Sequence, residues 1–116
     1  MKYEQRDVLL MDFPTLDYEN KYFAIILSNN HYNETEETYI CVMMSTKIIP
    51  SEYAFEVTPE MVDFEYESSV SYVRINLLAT IHEEDLNAIS KKGKMKRSAF
   101  DKLLSEVNRF VFLPEK

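Results

Sequence analysis

Arg6-Asp7-Val8-Leu9-Leu10-Met11-Asp12-Phe13-Pro14 and Phe23-Ala24-Ile25-Ile26-Leu27-Ser28-Asn29-Asn30 are the two runs whose reading decides the fold. The first reads as a strand that a proline stops, and the second as a buried strand ending in an asparagine turn. A third run, Thr38 to Met44, is rich in β-formers and leads straight into Ser45-Thr46. Continuous apolar stretches of this length predict central strands buried on both faces.

Outward from this trio the period stays near two. Tyr53-Ala54-Phe55-Glu56-Val57 alternates, with Tyr53, Phe55 and Val57 on one face. Val70 to Arg74 alternates as well, placing Val70, Tyr72 and Arg74 opposite Ser71 and Val73. Asn76 to Ile81 is a further short apolar run. After Gly93 the period becomes 3.6. Phe100, Leu103, Leu104, Val107 and Val111 form an apolar stripe that Pro114 ends. Several strands followed by one amphipathic helix predict a mainly β fold with a C-terminal helix, a small β-barrel with the helix packed across it.

Punctuation between the runs agrees. Pro14, Pro50 and Pro59 lie where a missing N–H costs no ladder bond. Gly93 is the only glycine, so Asn29, Asn30 and Asn33 are the expected left-handed residues. The segment from Asn29 to Glu37 reads as a long polar loop, and Glu83 to Ile89 as a helical turn or two.

Length and composition bound the class. The 116 residues make one domain, 1–116, and 46% hydrophobic content with 15 aromatics marks it as globular. No run approaches the roughly 18 apolar residues of a membrane span, and the N-terminus carries no apolar signal region. Cys41 is alone, which excludes an internal disulfide and metal-knuckle spacing, and suits a cytoplasmic location. Its apolar neighbours mark it as a core residue. His31 and His82 have no second ligand at metal spacing, so neither a metal nor a cofactor is expected.

The net charge of −7 alone argues against wrapping a long nucleic acid. The distribution is uneven. From Lys91 to Lys102 the chain carries a local +5, and the remainder sums to −12. Such a strip either steers a short anionic ligand or is a solvated helix entry.

Five segments in order resemble the MazF/PemK toxins, endoribonucleases of toxin–antitoxin pairs. Asp7 to Pro14 is similar to the family's opening strand, and Ala24-Ile25-Ile26-Leu27-Ser28 to its second. Tyr53 to Val57, Ser71 to Leu86, and Lys92-Gly93-Lys94-Met95 with the helix beyond complete the likeness. The resemblance implies an SH3-like barrel, a homodimer, a cleft that binds single-stranded RNA, a cognate antitoxin as partner and growth inhibition as outcome. It also implies site residues: Ser45 with Thr46 at the end of the third strand, and Glu19 in the loop after the first. The family's catalytic arginine would stand where this chain has Tyr22, or Lys21. Its usual acid–amide pair is replaced by Arg74-Ile75-Asn76.

Metal-free RNA cleavage needs a base for the 2′-OH and a cation for charge growing on the phosphoryl oxygens. Lys21 offers charge without a fork, whereas Arg74 offers the fork that matches two phosphate oxygens. Tyr22 offers a hydrogen bond or a stacking face, and Lys91, Lys92 and Lys94 offer phosphate contacts. Read without the family, Ser45 and Thr46 are turn formers, Lys21 is a solvated loop lysine and Arg74 a strand-end charge. Those readings leave a non-catalytic binding module, or a partner-binding homologue, beside the nuclease.

Overall fold

The computed structural model describes residues 2–12, 21–46, 48–66, 70–86 and 88–115. Six strands form one antiparallel sheet: β1 (Asp7–Asp12), β2 (Lys21–Ile26), β3 (Thr38–Ser45), β4 (Ala54–Val57), β5 (Ser71–His82) and β6 (Ala88–Lys94). Two helices join them, α1 (Asn30–Glu36) and α2 (Arg97–Val107). The strand order is β4-β5-β3-β2-β1-β6.

The central strands are buried on both faces, as their continuous apolar runs require. Val8, Ile25, Val42, Met44, Val73 and Ile75 face α2, which inserts Phe100, Leu103 and Val107 into the same cluster. Leu9, Met11, Ala24, Ile26, Tyr39 and Cys41 pack on the opposite face, joined by Tyr3, Ile81 and Leu86. The helical stripe thus lands as its period predicts, with Leu103 fully buried and Leu104 only half-buried. A π-helical turn, Asn108–Phe112, extends α2.

The expected barrel is not closed. β4 and β6 are the two edges of the sheet, and no ladder among the described residues joins them. Only the segment after β4 reaches across, where Val62 bridges to Met95 and Lys96 N–H donates to the Met61 carbonyl at 2.8 Å. β4 is four residues long, and the 3-10 turn Pro59–Met61 takes the chain out of the ladder before it can extend.

Four further expectations are corrected. The polar loop from Asn29 is mostly helix: the Asn29 side chain accepts from Tyr32 N–H at 2.8 Å as an N-cap, and Glu37 ends α1 in the left-handed region. Asn33 is buried in that helix and donates to the Ser28 carbonyl, and among the described residues the left-handed non-glycine residues are Arg6 and Glu37 instead. Val70–Arg74 and Asn76–Ile81 merge into the single long β5. The sixth strand is the lysine-bearing Ala88–Lys94, which overlaps the start of the Lys91–Lys102 strip read as helix entry. Of the helical turns expected over Glu83–Ile89, a 3-10 turn is present over Glu83–Asp85, whereas Ala88 and Ile89 begin β6.

Gly93 sits in β6 at a register shift against β1. A Cβ there would stand 2.5 Å from Asp63 Oδ1 and 2.6 Å from Phe64 Cδ1, so the close approach of this segment requires glycine.

Two buried acids on the second face set an alkaline limit. Burial, reinforced by a hydrogen bond with Glu83, pushes the Tyr39 phenol up from 10.0 to about 12. Burial alone pushes the Cys41 thiol from 9.0 to about 11. Both hold their proton more tightly when folded, so their contribution is full below pH 9 and is lost as pH rises through 12. The urea midpoint is therefore expected to hold from neutrality to pH 9 and fall at pH 10 and 11; an unchanged midpoint over that interval would contradict this account.

Candidate functional site

One end of the sheet gathers polar side chains from four strands. The β2–β3 ladder reaches Phe23 opposite Met44, so Tyr22 and Ser45 stand one step beyond it. Ser45 is paired with Tyr72 of β5, and Tyr72 with Glu56 of β4. Residues paired across neighbouring strands share a face, so Tyr22, Ser45, Tyr72 and Glu56 form one row about 14 Å long. Arg74, two residues after Tyr72, adds a guanidinium to that face, because Val73 and Ile75 between and beyond them point into the core.

Exposure differs along the row. Ser45, Tyr72 and Arg74 are half-buried and Glu56 is exposed. Tyr22 is 9% exposed, so little of its ring is open to a stacking base. Tyr72 is the aromatic ring that solvent reaches. The Arg74 Nε–H donates to Asn76 Oδ1 at 3.3 Å, and its terminal N–H groups bond no described residue. Thr46 lies just past β3 in an exposed turn. Lys21 starts β2 with its backbone opposite Asp12. Glu19 falls outside the described residues.

The lysine strip stands elsewhere. Lys91 Nζ and Lys94 Nζ lie 3.2 and 2.7 Å from Asp7 Oδ1, and Asp7 is completely buried. Glu4 N–H donates to Asp7 Oδ2 at 2.8 Å, so the cluster ties the N-terminal segment to β6. Asp7 and Asp12 are opposite ends of β1, about 17 Å apart. The two lysines thus neutralise a buried carboxylate at the far end of the sheet from Ser45. Lys92 is exposed and makes no ion pair with a described residue.

A cavity of about 280 Å³ also opens at that far end of β3 and β5, lined by Glu37, His82, Glu83 and Glu84. Its carboxylates repel phosphate, so it does not suit an RNA backbone. Among the described residues no three His, Cys, Asp or Glu side chains converge as metal ligands would.

Tyr72 and Glu56 were not singled out from the sequence. Tyr72 was legible as a face-mate of Arg74; Glu56 was one of many acids until the β4–β5 register placed it.

The profile of a family described as PemK-like, MazF-like toxin of type II toxin-antitoxin system matches residues 4–111. The chain belongs to this family.

Solved structures share the PemK/MazF fold at low identity. An endoribonuclease from a mycobacterial species, in complex with its cognate antitoxin, superposes with a TM-score of 0.69 at 16% identity, covering 98% of this chain and 99% of that one. MazF from Deinococcus radiodurans gives 0.72 at 8% identity, with 96% and 97% covered. The MazE–MazF complex from the same organism gives 0.74 at 9%, with 98% and 100% covered. A search of curated protein sequences gives no match. No helix among the described residues is long and apolar enough to cross a membrane.

Proposed function

We propose that this chain is a cytoplasmic toxin of the PemK/MazF family that cuts single-stranded RNA without a metal, at the row formed by Ser45, Tyr72, Glu56 and Arg74. The observation that supports it is the strand register, which brings a hydroxyl, an accessible aromatic ring, a carboxylate and a guanidinium from three strands onto one face.

Each group has a part in transesterification. Glu56 takes the proton from the 2′-OH as its oxygen attacks the adjacent phosphorus, and the P–O5′ bond breaks as the 5′-oxygen takes a proton from solvent water and leaves as a 5′-OH. Arg74 meets the charge growing on the phosphoryl oxygens, and the Ser45 hydroxyl donates to one of them. Tyr72 stacks a base beside the scissile bond. Glu19 and Lys21 precede Tyr22 in the sequence and Thr46 follows Ser45, and they are second-line candidates for base, cation and hydroxyl. Exposed Lys92 contributes only steering. A cognate antitoxin and a second copy of the chain are the protein partners.

The test is incubation with varied single-stranded RNAs in excess chelator. Cleavage is expected, with products ending in a 2′,3′-cyclic phosphate and a 5′-OH. Cleavage only with added metal, or 5′-phosphate products, would overturn the mechanism. One observation favours a second reading, an RNA-binding module that does not cut: no arginine stands between Arg6 and Arg74, where the family's catalytic arginine would lead β2. RNA binding without cleavage in the same assay would select it.

A further inference from the structure

β5 is bulged where it leaves the row. Val42 pairs with Leu78 and Met44 with Val73, so the single β3 residue Met43 stands across from Arg74, Ile75, Asn76 and Leu77. The bulge shifts the alternation. Val73 and Ile75 belong to the core, and the next β5 side chain packed against it is Leu78, not Leu77. Asn76 and Leu77 are therefore exposed side by side, Leu77 by 52%. Bulges re-aim side chains, and this one does so directly beside Arg74.

The contact between Asn76 and Arg74 fixes what the amide can offer. The Arg74 Nε–H can only donate, so Asn76 Oδ1 faces it, at 3.3 Å. The amide Nδ2 is turned away, with two protons and no side-chain partner among the described residues. The terminal N–H groups of Arg74 are donors as well. This patch therefore presents protons, and its one amide oxygen is already held to a guanidinium.

We propose that the bulge reads one nucleobase of the RNA strand: Asn76 Nδ2 donates to a ring carbonyl, Leu77 packs against the face of the same base, and uracil is thereby preferred to cytosine. This rests on the row taking single-stranded RNA and does not depend on the strand being cut. The two pyrimidines share ring size and stacking face. They differ at C4, where uracil carries an oxygen acceptor and cytosine an amino donor. A donor set against that amino group makes no hydrogen bond and leaves both groups unpaired. Tyr72, Arg74 and Asn76 follow one another at two-residue steps, so one base, a phosphate and the next base succeed each other along β5.

The test is a fluorescence-anisotropy titration of the full chain with uridine and cytidine hexamers carrying 2′-fluoro sugars, which lack the attacking hydroxyl and stay intact. The uridine hexamer is expected to bind about 5- to 10-fold more tightly, the scale of one hydrogen bond. Asn76→Ala should bring that ratio near one by weakening the uridine hexamer alone. Asn76→Asp puts an acceptor in place of the donor and should turn the preference toward cytidine. Leu77→Ser should weaken both hexamers alike. Both residues are exposed, so circular dichroism should stay at wild type in all three variants. Equal binding of the two hexamers by the wild type would overturn the proposal, as would no binding of either. So would a uridine preference that survives Asn76→Ala. A uridine preference that Asn76→Ala abolishes, with unmodified RNA left uncut, would remove the nuclease reading alone.

Discussion

Arg74→Ala is expected to lower the RNA cleavage rate about 10²–10³-fold, the scale of removing one preorganised donor from a transition-state site. Arg74 is half-buried and holds only Asn76 through its Nε–H among the described residues, so its removal leaves both cores untouched. The loss should fall mainly on kcat, because the charge it meets grows only as the 2′-oxygen attacks. Arg74→Lys should recover part of the rate, keeping charge without the fork. Circular dichroism and the urea midpoint serve as controls and should stay at wild type. An Arg74→Ala protein that cuts at the wild-type rate would remove Arg74 from the mechanism and turn attention to Lys21. Placing an arginine at Tyr22 is a poor rescue, because that side chain is 9% exposed and a guanidinium there would be desolvated. Substituting Lys91 or Lys94 tests something else, since each removes part of the compensation of buried Asp7.

Phe100→Ala is expected to destabilise the fold by about 3–5 kcal/mol, the range for truncating a buried aromatic. Phe100 is 2% exposed and belongs to the larger core cluster together with Val73, Ile75 and Met95. Nothing on either side can collapse easily, because the sheet is buried on its other face as well. The melting temperature should fall by roughly 15 °C or more. Leu104→Ala, on the half-buried side of the same helix, should cost clearly less than Leu103→Ala. Thermal and urea unfolding of the three variants check the order, and a Phe100→Ala loss below 1 kcal/mol would show that α2 is not an integral part of the core.

The lysine-rich β6 shows where sequence reading stops. A strand at the sheet edge can carry Lys91, Lys92 and Lys94 without loss, so no apolar period betrays it. The same lysines look like a phosphate-binding strip until Asp7 is seen buried beneath two of them. α1 escaped for a related reason: Asn30–Glu36 buries only Asn33, so it has almost no apolar stripe, and its signals were the Asn29 cap and the left-handed Glu37. Openness of the sheet was equally hidden, since it depends on β4 stopping after four residues.

What the sequence determined by itself was local and periodic. The apolar runs of β1, β2 and β3 required strands buried on both faces, and the stripe from Phe100 required a helix against the sheet, because side-chain direction repeats every 2 or 3.6 residues wherever the chain goes. The same alternation already placed Tyr72 beside Arg74. Only the tertiary structure decided that Glu56 lies opposite Tyr72, that Tyr72 lies opposite Ser45, and that Tyr22 is buried. These pairings join residues far apart in the chain, and a one-residue slip of register would send each side chain to the other face. The energy that selects the register is spread over both cores, so no short motif records it.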